Sequence, residues 1–187
     1  MPEDTTPQPV EPGVEPAPEP APEPQIDQAK LDRFLQELEA GQNLGLGILG
    51  GAVAALIGAA IWAAVTVATN YQIGWMAVGV GFLVGYAVRL LGKGISKVYG
   101  IVGAVLALVG CLLGNFLSFM AIVAREEGMS LFELLPQVNP AGIPSLMAMT
   151  FQPMDLLFYA IAVYEGYRFS FVQISEEQIA GLIKSGE

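Results

Sequence analysis

The 187-residue sequence contains no histidine and a single cysteine, Cys111. Haem ligation by histidine, histidine-bearing zinc sites, and Ser-His or Cys-His nucleophile pairs all need an imidazole, so these classes are excluded. A lone cysteine can form neither an intrachain disulfide nor a metal or iron–sulfur site built only of cysteines. The basic residues are too few for a nucleic-acid interface. We therefore expect no catalytic residues, no cofactor, no metal and no nucleic-acid partner.

Charge is also scarce and unevenly placed. Charged residues make up 14% of the chain, against roughly 25% in a typical soluble domain. Of the net charge of −10, residues 1–25 contribute −6, because they hold six acidic side chains and no basic ones. The same stretch holds nine of the thirteen prolines. This composition predicts a disordered, partly polyproline-II tail over residues 1–25.

Long uncharged runs dominate the rest of the sequence. Residues 46–124 contain no Asp or Glu and only three basic side chains. A membrane-spanning helix needs about 20 apolar residues to cross a hydrocarbon core of ~30 Å. The sequence therefore predicts an all-α polytopic membrane protein with a four-helix transmembrane bundle over residues 44–172. Three strong spans and a weaker fourth are predicted at 44–69, 73–91, 98–124 and 153–171.

Shorter segments flank these runs. Leu31, Phe34, Leu35 and Leu38 share one helical face, which predicts an amphipathic helix over residues 26–41. This helix could pack on its own protein, lie in the membrane interface or dock on a partner. Residues 125–152 are predicted to be interfacial or re-entrant, with a short helix opened by the capping-box spacing of Ser130 and Glu133. Residues 173–187 are predicted to form a C-terminal tail with a short helix.

The basic residues predict an orientation. With four spans, one side of the membrane receives seven of them and the other side only Arg125. By the positive-inside rule, the rich side is cytoplasmic, so both termini should lie there. Tyr71, Trp75 and Tyr99 fall near the predicted membrane surfaces, as in an aromatic belt. The seven basic residues are Lys30, Arg33, Arg89, Lys93, Lys97, Arg168 and Lys184.

Glycine is the main packing signal. Fifteen of the 22 glycines lie between residues 45 and 114. Membrane helices associate through close backbone approach, which small residues one turn apart permit. We expect these seams to pack the bundle against itself, or at least one to serve an oligomer or a partner helix. The predicted packing residues are Gly47, Gly51, Gly81, Gly85, Gly103, Ala107, Gly110 and Gly114.

Few ionisable groups occur within the spans. Arg89 lies near the cytoplasmic end of the second span, and Glu165 and Arg168 lie near that end of the fourth. Glu165 is predicted to form a structural ion pair with Arg168 locally or with Arg89 across helices, fixing helix register. A proton or ion relay is the alternative. Asn115 and Ser118 are expected to hydrogen-bond between helices.

Two stretches carry a family resemblance: TNYQIGWMAVGVGFLVGYAVRLLGKG (69–94) and FQPMDLLFYAIAVYEGYRFSF (151–171). They resemble uncharacterised bacterial integral membrane proteins whose spans often follow a variable N-terminal part, sometimes a zinc ribbon. The likeness extends over about residues 45–172, whereas the N-terminal part here has no cysteine. The resemblance implies a bacterial inner-membrane protein and brings no established activity.

Taken together, these features predict a non-catalytic accessory or scaffold subunit of a bacterial membrane protein complex. Its expected partners are membrane lipids and other membrane subunits, or further copies of itself. The acidic tail is expected to act mainly as a solubilising segment; the alternative is that it binds a basic surface or a proline-binding groove on a partner. The alternative is a small oligomeric channel or transporter. An intramembrane enzyme would need a nucleophile and a base that the sequence does not supply.

Overall fold

The structure, a computed structural model, describes residues 26–183, and this part of the chain is helical. The predicted all-α fold class is confirmed for these residues. The predicted acidic tail, and Lys184 with the residues after it, lie outside the described part. The helices are α1 (Gln28–Ala40), α2 (Leu44–Thr69), α3 (Trp75–Gly92), α4 (Lys97–Glu126), α5 (Leu131–Leu134), α6 (Ile143–Thr150), α7 (Pro153–Phe169) and α8 (Glu176–Ala180).

Three helices, α2, α3 and α4, are each long and apolar enough to cross a membrane. The 17 residues of α7 give a length of about 26 Å, slightly below the ~30 Å of a bilayer core. Together with the preceding segment Pro140–Thr150, α7 meets the same criterion, but the two parts are bent by 104°. The described residues therefore hold three candidate spans, or four if the bent pair is one span.

The four long helices form a bundle in which α3 and α4 touch each other and both outer helices, α2 and α7. Facing positions give their directions. Gly47 of α2 faces Gly92 at the end of α3, whereas Gly58 faces Val80, so α2 and α3 are antiparallel. Similar pairs make α4 parallel to α2, and α7 parallel to α3. The chain therefore runs up, down, up and down.

Local sequence explains where the long helices begin and end. The Asn43 side chain accepts a hydrogen bond from the Leu46 amide at 3.0 Å and so caps the start of α2. The helix ends at Asn70, whose left-handed backbone (φ 55°) is one that asparagine tolerates better than most residues. Pro153 fits the first turn of α7, and the Asp155 carboxylate accepts from the Gln152 amide at 2.8 Å.

The shorter segments follow the predicted capping signals. Ser130 with Glu133, and Ser175 with Gln178, form complete capping boxes at the starts of α5 and α8, which confirms both sequence signals. After α5, two single turns of 3₁₀ helix lead into α6. At the other end of the bundle, the Asp27 amide donates to the Leu182 carbonyl at 2.8 Å. The segments that precede α1 and follow α8 therefore meet.

Candidate functional site

The predicted packing glycines of α2 face α3 and α4. A methyl group added at Gly47 would lie 3.1 Å from the Gly92 Cα atom. One added at Gly51 would lie 2.6 Å from methyl groups of Val88 and Leu106. Backbones can approach this closely only where no side chain intervenes, as small-residue seams between membrane helices allow. These two positions hold α2 against its two neighbours.

The glycines of α3 face α7. At Gly81 an added methyl group would collide with the Ala162 carbonyl oxygen and lie 2.7 Å from its Cα atom. At Gly85 it would lie 3.0 Å from the Gly166 carbonyl oxygen. The obstructing atoms belong to the α7 backbone, which cannot move aside as a side chain can. These positions fix the distance between α3 and α7.

The small residues of α4 face α7 at one end of the helix, and α2 and α3 farther along it. Gly103 and Ala107 both contact the region of Gly166 in α7. Farther along, an added methyl group at Gly110 would lie 3.2 Å from the Ala55 Cβ atom of α2. Gly114 packs under the ring of Trp62. A methyl group added at Gly114 would lie 2.6 Å from the Trp62 Cε3 atom. All the predicted glycine positions therefore lie in contacts within one chain.

A series of hydrogen-bonded polar side chains joins the exposed Gln72 of the α2–α3 loop to the buried Asn115 of α4 and Tyr159 of α7. Gln72 donates its side-chain amide to the Asn115 carbonyl oxygen at 2.8 Å. The Asn115 amide donates in turn to the Tyr159 hydroxyl at 3.0 Å. The Tyr159 hydroxyl in turn donates a weak hydrogen bond to the Cys111 carbonyl oxygen at 3.5 Å. Because Asn115 and Tyr159 are buried, these bonds satisfy groups that have no access to water.

A second polar contact joins α2 to α4. The Thr66 hydroxyl donates to the Ser118 hydroxyl at 3.2 Å, and both side chains are buried. Close by in sequence, Trp62 is 1% exposed, and its indole Nε1 is the only buried side-chain polar atom without a partner among residues 26–183. Cys111 is fully buried, and its thiol lies 3.8 Å from the Ala77 carbonyl oxygen. The Thr66–Ser118 bond therefore links α2 to α4, whereas Cys111 faces α3.

The predicted ion pair is not formed in the described part of the chain. The Arg89 guanidinium lies 4.8 Å from the ring centre of Tyr86, three residues earlier on its own helix. Arg168 donates to the Tyr164 hydroxyl at 3.4 Å, four residues earlier on α7. Both arginines thus find an aromatic partner one turn away, which requires no reach between helices. Glu165 is half-buried, and its backbone carbonyl approaches Gly85.

The two ends of the bundle differ in charge, as the positions of the basic residues in the sequence predict. Arg89, Lys93, Lys97 and Arg168 all lie at the end where α2 begins, since the Val172 amide donates to Gly94 there at 3.1 Å. Arg125 lies at the opposite end. Its guanidinium donates to the Val67 carbonyl at 3.0 Å and to the Asn70 side chain at 2.9 Å. It therefore ties the end of α4 to the end of α2.

The sequence predicts hydrogen bonds from Asn115 and Ser118 but does not identify their partners Gln72, Tyr159 and Thr66. A signal for Tyr159 was present in the sequence. The buried residues of α7 are Asp155, Tyr159, Ala162 and Gly166, spaced four, three and four residues apart. The same spacing identified the inner stripe of α4 from its small residues. Tyr159 is the large member of the α7 stripe, and tyrosines buried in helix contacts usually find a partner.

The aromatic residues near the helix ends fall into two groups. Tyr71 and Trp75 are 75% and 68% exposed, which suits a belt at a membrane surface. Tyr99 is 4% exposed and packs against Gly47, Gly92 and Gly94, so its assignment to a belt was wrong. These three glycines, one on α2, one at the end of α3 and one just after it, leave space for its ring inside the bundle.

Residues 26–183 contain no group of three His, Cys, Asp or Glu side chains placed to hold a metal ion. Apart from the Trp62 indole, their buried polar side chains form hydrogen bonds within the bundle, so the arrangement suits helix association. No protein-family model, curated protein or solved structure matches the chain.

Proposed function

We propose that this protein is a non-catalytic accessory or scaffold subunit of a bacterial inner-membrane protein complex. The observation that carries the proposal is the way the interior is filled. Helix contacts at glycines close the bundle, and the buried amide and hydroxyl groups pair among themselves. The outer faces of α2 and α7 are left as broad apolar surfaces for other membrane components, with residues such as Leu49, Leu56 and Leu156 more than half exposed.

Membrane insertion of all four long helices is part of this proposal. The clustering of Arg89, Lys93, Lys97 and Arg168 at one end supports it, because the positive-inside rule assigns such an end to the cytoplasm. Both termini would then be cytoplasmic, and α5 and α6 would face outward. The resemblance of residues 69–94 and 151–171 to bacterial integral membrane proteins supports the bacterial inner membrane.

The polar chain of Gln72, Asn115 and Tyr159 bears on the channel alternative. It runs from the α2–α3 loop to Cys111, which is at the middle of α4. Between Cys111 and the basic end, the buried positions of α4 are Tyr99, Gly100, Gly103, Ala107 and Gly110. A pathway within one chain would need polar groups through that half as well. Because these linked polar side chains extend through only half of the bundle, they favour a structural role over conduction.

The test is purification of the tagged full chain from native membranes in a mild detergent, followed by size-exclusion chromatography and mass spectrometry. A scaffold subunit should elute with a partner membrane protein in fixed stoichiometry, and the tagged partner should recover this chain in turn. A matched variant without residues 1–25 separates binding by the tail from binding by the bundle. A homo-oligomer alone, together with reproducible ion or solute flux in liposomes, would replace the scaffold with the channel.

A further inference from the structure

An apolar groove opens on the outer face of the bundle between α2 and α4. It has a volume of about 710 Å³, which lies within the range of ligand sites. Ala60, Ala64 and Ala68, one turn apart on α2, form one wall. Leu117 and Ala121 of α4 form the other, and Leu131, Phe132 and Leu135 from α5 and the following turn close one end. Nothing in this lining favours a polar ligand.

The extent of the groove indicates what fits it. Along α2 it runs from Ala60 to Ala68, which is about 12 Å of helix rise. A docked transmembrane helix would follow its neighbour across the ~30 Å hydrocarbon core. This groove covers less than half of that depth. It lies in the half of the bundle that contains the C-terminal end of α2, at Asn70. Its length therefore matches one acyl chain within one leaflet.

The charges at the closed end complete the match. Val67 lines the groove, and its carbonyl oxygen accepts from the Arg125 guanidinium at 3.0 Å, which places that cation at the rim. Glu126 and Glu127 follow directly and are exposed. A guanidinium beside carboxylates complements a headgroup that carries both a phosphate and an ammonium. Exposed Tyr71 is near this end, at the level where headgroups would lie.

We propose that the groove is a binding site for one zwitterionic phospholipid, with an acyl chain between α2 and α4 and its phosphate on Arg125. The site rests on the proposed insertion of the bundle in a membrane. It does not rest on the scaffold role. An acyl chain would fill the space beside the small alanine side chains of α2. Helix α5 would cover the part of this acyl chain nearest the headgroup.

The test is native mass spectrometry of the full chain in detergent supplied with dioleoyl phosphatidylethanolamine, dioleoyl phosphatidylglycerol or dioleoylglycerol. The wild type should retain one phosphatidylethanolamine per chain and less of the other two lipids. Ala64→Leu, which fills the groove, should lower the bound fraction about fivefold or more. Ala160→Leu is the matched control, because Ala160 is an exposed alanine on α7 outside the groove. Ala68→Leu repeats the test on the same wall if Ala64→Leu aggregates.

Charge variants test the headgroup. Arg125→Gln should weaken phosphatidylethanolamine retention and leave dioleoylglycerol unchanged, whereas Lys97→Gln at the opposite end should change neither. Equal lipid retention in Ala64→Leu and Ala160→Leu would overturn the proposal. So would a dimer that Ala64→Leu abolishes, since the occupant would then be a second copy. Alkaline extraction distinguishes failure of the lipid site from failure of membrane insertion, because a chain that is not inserted would be released from membranes.

Discussion

At the scale of single residues, the glycines differ sharply in what surrounds them. Gly81 faces the α7 backbone, with 2.7 Å from an added methyl group to the Ala162 Cα atom, whereas Gly79, two residues earlier, has nothing within 4 Å. Gly81→Ala should therefore destabilise the bundle by about 1–3 kcal/mol, the usual cost of overpacking. Gly79→Ala should be neutral or stabilising by up to about 1 kcal/mol, because alanine favours a helix.

Thermal unfolding of both variants in the same detergent, followed by circular dichroism, compares them directly. The two positions lie on one helix and receive the same methyl group, so helix propensity cancels between them. If Gly81→Ala were as stable as Gly79→Ala, the close contact between α3 and α7 would be wrong.

The buried Asn115 amide gives a second prediction at this scale. Asn115→Ala would leave the Tyr159 hydroxyl and the Gln72 amide without their present partner. Hydrogen bonds between membrane helices contribute about 0.6–1.7 kcal/mol each, so we expect a loss of about 1–2 kcal/mol. Tyr159→Phe should lose less, since it removes only one end of the chain. Tyr86→Phe, at a half-exposed ring on α3, is the control and should cost nothing measurable.

A double-mutant cycle between Asn115→Ala and Tyr159→Phe isolates their shared bond. Contacting residues in one hydrogen-bond network are expected to be non-additive by about 0.5 kcal/mol or more. Additive effects of the two changes would mean that the polar chain does not couple α4 to α7.

At the scale of elements, α5 depends on a charged cap. The Glu133 carboxylate accepts hydrogen bonds from the Ser130 amide at 2.7 Å and from its hydroxyl at 2.9 Å. These bonds hold the pKa of Glu133 below its usual value of 4.5. Because the folded pKa is the lower one, the cap stabilises α5 above the unfolded pKa, and this contribution is lost as pH falls through the folded pKa.

Hydrogen exchange of the Leu134 amide, which donates to the Ser130 carbonyl, reports on this turn. After correction for intrinsic exchange rates, its protection should decline as the solution is acidified below about pH 4.5. Glu133→Gln removes the titrating carboxylate and should flatten this dependence, whereas Ser130→Ala should weaken it only in part, because the backbone amide of residue 130 still donates to Glu133. Protection that stays constant to low pH in the wild type would show that Glu133 does not cap the helix.

The sequence allowed the long helices to be predicted because their signals are local. The uncharged run between Asn43 and Asn70 predicted 44–69, and α2 has those bounds. α3 begins at Trp75, later than the predicted 73, because Ile73 and Gly74 belong to the turn that places Gly74 against the Phe158 ring. Glycine spacing identified inner faces for the same reason, since the helical repeat alone determines them.

The side-chain partners were less predictable because they depend on positions distant in sequence. Spacing alone allowed Glu165 to form an ion pair with either arginine. It did not show that each arginine would instead contact an aromatic residue on its own helix, Tyr86 or Tyr164. Gln72 meets Asn115 across 43 residues, a contact set by how the loop after α2 folds over α4. The packing faces were therefore available from periodicity, whereas the polar chain required the structure.

At the scale of the whole molecule, the alternating directions of the four long helices make a prediction about membrane sidedness. The α3–α4 loop lies at the basic end with the start of α2, whereas the segment between α4 and α7 lies at the other end. If the bundle spans a membrane with its basic end in the cytoplasm, Ser96 and Gln137 are on opposite sides. Both residues are exposed, so a cysteine at either position would be accessible to reagents.

Single cysteines in a Cys111→Ala background test this arrangement with a membrane-impermeant maleimide. Ser96→Cys should react only in inverted vesicles, and Gln137→Cys only in intact cells or right-side-out vesicles. The wild-type chain is a separate control. Its Cys111 is 0% exposed, so it should react only after denaturation makes the thiol accessible. Labelling of both engineered cysteines from one side would mean that an even number of helices, or none, crosses the membrane between them. In that case α4, which is the long helix between Ser96 and Gln137, does not span the membrane.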